Sequence, residues 1–358
     1  MRFVFETRYR DSLRLFRRPG QRFWFVLLAV ALLTAPAWLD TFYVGELTWV
    51  FIYAIAGIGL MLLVGYTGLV SLGHAAFLAI GAYTHTILLD HGWPWPLAVL
   101  AAVGLSAITG YAVGRPTLRM TGIYLAIATL AFAEVVTQLI SHWESLTGGF
   151  RGLPVPRAVV FGVDIGRSVP FYFVCLGLLV VGLWLARNLL LGPTGRAMNA
   201  VRDSEISAKS MGIDLAQVRS VAFALSAGFT GLAGALYAHQ IGYLAPDAFT
   251  LLLSIQLLLM VVVGGLGSLH GVVLGAIFLG LLPQLIALVR DELPTAVARM
   301  PGLEPGLFGL VLVLFLIYEP LGLHGRWRKL RQFFEEFPLY RRHTHKRQRR
   351  YLRTGRLR

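Results

Sequence analysis

Ten stretches of this chain are apolar over 15–23 residues each: Phe23–Leu39, Glu46–Gly65, His74–Leu89, Trp95–Gly114, Gly122–Ser141, Ser168–Leu190, Ser220–Gln240, Thr250–Gly264, Gly271–Val289 and Pro305–Leu321. A helix crossing a bilayer core needs roughly 20 such residues. The composition agrees, with 56% hydrophobic and only 14% charged residues, against about 45–50% and about 25% in soluble domains. A single soluble core has no use for that excess, so lipid is the solvent that accounts for it. The expected fold is an all-α polytopic integral membrane protein with about ten transmembrane segments. His74–Leu89 and Thr250–Gly264 are short, and each reads as a full crossing or a partly re-entrant segment.

Charge placement orients the chain. Of its 32 Lys and Arg, seven fall in residues 1–22 and thirteen in residues 324–358. Ten crossings with both termini in the cytoplasm also put the loops near Thr67, Arg115, Gly195 and Gly267 there. That side then carries 27 of the 32 basic residues, a strong positive-inside bias. The same distribution explains the net charge of +14 by topology and anionic-lipid contact, and no nucleic-acid partner is expected. The expected organisation is a basic cytoplasmic segment (1–22), a transmembrane domain (23–322) with a cytoplasmic loop at 192–219, and a basic cytoplasmic tail (323–358). The first apolar stretch reads as a retained signal anchor, because no small-residue cleavage pattern follows Trp38.

Within the 192–219 loop, Arg196–Met211 is rich in helix formers and stops at Gly212, a plausible C′ glycine. It predicts one short amphipathic helix in the cytoplasm. The 39 glycines concentrate inside apolar segments, where small residues allow close helix approach and local unwinding. Gly65–Gly81 adds polar Thr67, Ser71 and His74. This run reads as a tight turn with helix packing, or as a gate lining a substrate path. Gly65–Ala82 also echoes Val262–Gly280, a pattern consistent with internal duplication. Glu134 is the clearest ionisable residue inside a span and reads as paired with a neighbour or in contact with substrate. His74, His85 and His239 are scattered without metal-ligand spacing, so no metal site is expected. The single cysteine, Cys175, permits no intrachain disulfide.

No Walker A loop, G-x-S-x-G or HExxH occurs, and no ladder of buried charges marks an ion-coupled pump. The chain is not expected to be an enzyme, and a transporter built this way needs energy from another chain. GYTGLVSLGHAAFLAIGAYT (Gly65–Thr84), LRMTGIYLAIATLAFAEVV (Leu118–Val136), LTGGFRGLP (Leu146–Pro154), GRAMNAVRDSEISAKSMGID (Gly195–Asp214) and GGLGSLHGVVLGAIFLGLLPQL (Gly264–Leu285) occur in this order. As a set they resemble the branched-chain amino-acid ABC transporter permeases, specifically the M-type subunit of the high-affinity importers.

That resemblance implies a bacterial inner-membrane importer with a second homologous permease, two ABC ATPases and an extracytoplasmic substrate-binding protein. No cofactor is implied on this chain, since ATP and Mg would be bound by the ATPases. Gly195, Arg196, Arg202, Asp203, Glu205 and Gly212 fall on the family's loop pattern and become ATPase-coupling candidates. Thr67, Ser71, Gly73, His74, Glu134, Thr147, Gly148 and Gly149 are candidates for the substrate pathway. Related importers of urea or short amides and a stand-alone secondary transporter remain as alternatives, because fold and motif do not separate substrates.

Overall fold

The computed structural model describes residues 19–116, 120, 122–160, 163–164, 168–291, 303–318 and 322–336. Most of the 1–22 segment, the tail beyond Glu336, and residues 118, 119 and 121 of the Leu118–Val136 stretch lie outside the described residues.

Thirteen α-helices carry the architecture of the described residues. They are α1 (Pro19–Trp38), α2 (Thr41–Leu60), α3 (His74–Asp90), α4 (Trp95–Gly114), α5 (Ile123–His142), α6 (Ser168–Leu191), α7 (Pro193–Asp203), α8 (Glu205–Ser210), α9 (Leu215–Ile241), α10 (Leu251–Gly264), α11 (Leu269–Asp291), α12 (Leu303–Tyr318) and α13 (Gly322–Glu336), apart from one turn at Glu144–Thr147. A π-turn, Met61–Gly65, prolongs α2. Seven of these segments are long and apolar enough to cross a membrane: α2 with its π-turn, α4, α5, α6, α9, α10 with the turn before it, and α11. The chain is therefore an all-α polytopic membrane protein.

Each apolar stretch of the sequence contains a helix, but several ends move. Asp214 starts α9 five residues before Ser220, because its carboxylate accepts the N–H groups of Ala216 (2.8 Å) and Gln217 (3.3 Å). Capping of this kind satisfies donors that a helix start leaves open.

Helix α9 is the hub. It packs most extensively against α4, then α3 and α2, while α6 and α11 cover the other sides of α2. Small residues make this possible. A Cβ at Gly81 of α3 would overlap the Gly231 backbone of α9, and one at Gly231 would overlap Ser106 of α4. Between membrane helices, lipid removes the hydrophobic drive, so dispersion across such close contacts holds the bundle.

The bundle has two distinct ends. One gathers the Gly65–Gly68 turn, α7 and α8, the Gly264–Gly267 turn and the start of α13, linked by contacts from one to the next. At the other, the two-residue strand Leu153–Pro154 pairs antiparallel with Tyr243–Leu244.

The substitution Gly231→Ala should destabilise the purified chain by about 1–3 kcal/mol through overpacking. Gly104→Ala, where nothing lies within 4 Å of the added Cβ, should leave the thermal midpoint in detergent unchanged or slightly raised.

Candidate functional site: a loop face, a buried polar node and an outward carboxylate

The single helix expected over Arg196–Met211 is broken at Ser204. Its backbone is extended (φ −164°), and its Oγ accepts the Ser207 N–H at 3.3 Å, capping α8. A serine that bonds local backbone this way ends one helix and begins the next. Gly212 does take the left-handed conformation (φ 80°). Its N–H bonds Lys209 O at 3.0 Å and the Ile213 N–H bonds Ala208 O at 3.1 Å, completing a Schellman stop.

The loop is bolted to the bundle by the residues the sequence singled out. Gly195 is buried where α7 folds back on Leu190 of α6. Met198 joins Leu63, Leu69, Leu125 and Phe223 in a small apolar cluster. The Arg202 guanidinium donates to the Gly65 carbonyl and stands over Gly267, so it bridges both glycine turns. Glu205 forms an ion pair with Arg219, which is only 2% exposed. Arg196 and Asp203 stay exposed, with Arg196 donating to Leu191 O at 3.1 Å. Sequence reasoning missed Ile206 and Met211, which project from this loop 85% and 83% exposed. Their signal was apolar side chains on an otherwise polar segment. It also missed Arg219, whose role depends on a partner fourteen residues away.

Ser71, Gly73 and His74 come together in a buried node, while Thr67 is buried just before it, just past the end of the π-turn. After the π-turn the chain turns at Gly68 (φ 73°) and runs non-helically to Gly73 before α3 begins. His74 Nε2 lies 2.7 Å from Ser226 Oγ. Ser226 is eleven residues into α9, about 16 Å from its start at 1.5 Å per residue. The non-helical segment therefore carries the chain deep into the bundle, and this is why α3 is short. Its polar groups are met from several helices. The Leu72 N–H donates to Thr129 Oγ1 of α5 at 3.0 Å, and the Ala75 N–H to Ser254 Oγ of α10 at 2.9 Å. Ser71 Oγ accepts from the Gly73 N–H (3.3 Å) and pairs with His74 Nδ1 (3.0 Å). The Thr67 hydroxyl donates to the Leu63 carbonyl.

Thr147, Gly148 and Gly149 lie at the opposite end and do not join this node. Gly148 and Gly149 are both left-handed (φ 71° and 59°). The buried Thr147 hydroxyl is held between the carbonyls of Ile140 (2.5 Å) and Trp143 (2.7 Å). The loop clamps the end of α9 through the Leu153–Pro154 pairing. Two histidines that look scattered in the sequence meet near this end: His85 Nε2 is 2.8 Å from His239 Nε2, and Trp95 Nε1 donates to His239 at 3.1 Å. Among the described residues, no three His, Cys, Asp or Glu side chains are placed to hold a metal ion.

Glu134 sits apart from all of these. It is exposed on the outward face of α5, between Ile127 and Leu139, and accepts from Gln138 Nε2 of the same helix at 3.2 Å. A carboxylate on the outer surface of a spanning helix faces lipid only at high cost. This face of α5 is the one polar break in a strongly apolar exterior helix.

A multi-pass helical bundle with a bolted loop at one end and unwound backbone in its interior is an architecture that suits a membrane permease. Residues 42–316 match the family model described as branched-chain amino acid transport system / permease component. The chain belongs to that family, and it is a permease subunit of an ABC import system. It is 34% identical over 330 residues to the high-affinity branched-chain amino acid transport system permease protein LivM of Salmonella typhimurium, covering 85% of this chain and 75% of the relative. The LivM protein of Escherichia coli matches equally, at 34% identity with 85% and 75% coverage. A probable branched-chain amino acid transport permease protein LivM from Methanocaldococcus jannaschii is 25% identical, covering 77% of this chain and 91% of the relative. No solved structure matches the chain.

Replacing Glu205 with alanine should leave the Arg219 charge buried without its carboxylate and cost about 1–3 kcal/mol. The expected readout is a lower unfolding midpoint for the purified chain with normal membrane insertion.

Proposed function

We propose that this chain translocates branched-chain or related amino acids inward across a bacterial inner membrane, as one of two homologous permeases driven by two ABC ATPases. The observation that carries this reading is the family match over residues 42–316, supported by relatives whose names specify branched-chain amino acids. An extracytoplasmic binding protein delivers substrate at the Thr147–Gly149 end, and ATP with its Mg binds only the ATPases. Ten crossings place both termini, and the end carrying α7, α8 and the two glycine turns, in the cytoplasm. In this topology the basic termini lie beside anionic lipid.

The coupling element is the α7–α8 pair. Arg202 and Glu205 reach the bundle with their charged ends, at Gly65 and Arg219, and transmit, while Ile206 and Met211 are the apolar anchors for an ATPase groove. Exposed apolar side chains on a projecting cytoplasmic loop fit a protein partner better than water. Motion received there reaches the bundle through Arg202, which bridges both turns, and through the ion pair onto α9. The arrangement matches rigid-body transmission.

The pathway runs along the outward face of α5, between this chain and the second permease. Glu134 supplies a carboxylate for the ammonium group of the substrate. Thr67, Ser71, Gly73 and His74 hold the unwound segment behind that face and do not line it, because their polar groups are engaged within the chain.

Three measurements test this. Co-expressed with its partners in proteoliposomes, the chain should support ATP-dependent uptake of leucine, isoleucine or valine; uptake that persists without ATPases and collapses with an ionophore would move the secondary-transporter reading ahead. Ile206→Asp with Met211→Asp should cut substrate-stimulated ATPase at least about tenfold, the scale of losing a hot-spot contact, in correctly inserted protein. Glu134→Gln should lower uptake about tenfold, as expected for a lost charge-assisted bond, with the assembly intact.

A further inference from the structure

The last described helix, α13, differs from the rest. Leu323, Trp327 and Leu330 recur at helical spacing on one face, and Arg326, Arg328, Lys329 and Arg331 surround them. Leu323 is packed against the cluster of Val263, Leu282, Ile286 and Leu312. Gly322 (φ 69°) presses on Gly265, where a Cβ would collide with backbone. The first turn of α13 is thus fastened to the ends of α10 and α11. Beyond it the apolar stripe is uncovered, with Trp327 61% and Leu330 52% exposed.

The fastened turn gathers positive and polar groups. The rings of His270 and His324 stack at 6.2 Å between centroids with 14° between planes. Burial, His270 and Arg328 together hold His324 below the ordinary imidazole range. Its Nδ1 is buried with no hydrogen-bond partner in the structure. Groups of this kind, crowded at the end of a membrane bundle, are matched by an anion with several acceptor oxygens.

We infer that α13 lies in the surface of the cytoplasmic leaflet and binds anionic phospholipid, with Trp327 and Leu330 in the acyl boundary and the headgroup phosphate between Arg328 and His324. Three features select lipid over a protein partner. The helix starts at the level where α10 ends and α11 begins, so it leaves the bundle at the bilayer surface. Its aromatic is a tryptophan on the apolar face, the residue that favours that interface. Its apolar stripe is bordered by bases, the arrangement of interfacial helices that recognise anionic headgroups. The binding also has a mechanical consequence. Gly322 rests on Gly265, and Gly267 lies under Arg202, so lipid that holds α13 braces the turn used by the α7–α8 pair. The leaflet rests on the topology proposed above and this consequence on the coupling reading; the lipid contact itself rests on neither.

The test is native mass spectrometry of the purified chain, in complex with whatever subunits accompany it, equilibrated with equal amounts of phosphatidylglycerol and phosphatidylcholine. The wild type should retain phosphatidylglycerol at least about fivefold over phosphatidylcholine, and the Arg326→Gln/Arg328→Gln/Lys329→Gln variant should fall toward parity. In the unaltered protein, about 1 M salt, where the Debye length is about 3 Å, should abolish the same preference. Equal retention by the wild type, a preference that survives the triple substitution, or one indifferent to salt each overturns the lipid site. In reconstituted importer, phosphatidylglycerol should raise substrate-stimulated ATPase in the wild type and not in the variant; the same response in both would remove the brace alone.

Discussion

The non-helical backbone from Gly68 to Gly73 sets the terms for the rest of the bundle. Buried N–H groups that lack partners are costly, and water cannot reach them in this interior. Leu72 and Ala75 therefore require hydroxyls from outside their own segment, and these come from Thr129 of α5 and Ser254 of α10. His74 adds a third tie, to Ser226 of α9. The unwound stretch and the first turn of α3 thus together fix the relative positions of three helices. The glycine at 73 is part of the same constraint, since a Cβ there would overlap the Thr129 carbonyl.

At the end that carries α7, α8 and the two glycine turns, the contacts tie separate parts of the bundle together. Arg202 spans two glycine turns that belong to different helical hairpins, α2–α3 and α10–α11. Those turns also touch directly, with the Gly267 N–H 3.1 Å from Met61 Sδ. The two segments that echo each other in sequence therefore meet in space, one on each side of a single guanidinium. The Glu205–Arg219 pair fastens the same loop to the hub helix. A loop held at two places, with Ile206 and Met211 left outside, is suited to receiving force from a partner and passing it inward.

Much of this was legible in the residues. Apolar length identified the helical segments because lipid demands about 20 apolar residues for each crossing. Gly212 was readable as a stop because few residues other than glycine adopt φ near 80°. The node was harder. Thr67, Ser71 and His74 stood out only as polar residues in a glycine-rich run, and nothing in that run names Ser226, Thr129 or Ser254 as their partners. The Ser204 break was missed because helix propensity over Arg196–Met211 is good, and one local cap overrode it.

The chain by itself determined that it is a helical membrane protein and where its loop stops, because these depend on local composition and backbone preference. Only the tertiary structure decided that His85 meets His239, that Arg219 is the charge Glu205 neutralises, and that Glu134 faces outward. Those outcomes turn on partners that lie 154 positions apart for His85 and His239, on two helices folded together across a turn for Glu205 and Arg219, or on which face of a helix its neighbours leave uncovered, and no short-range pattern encodes them.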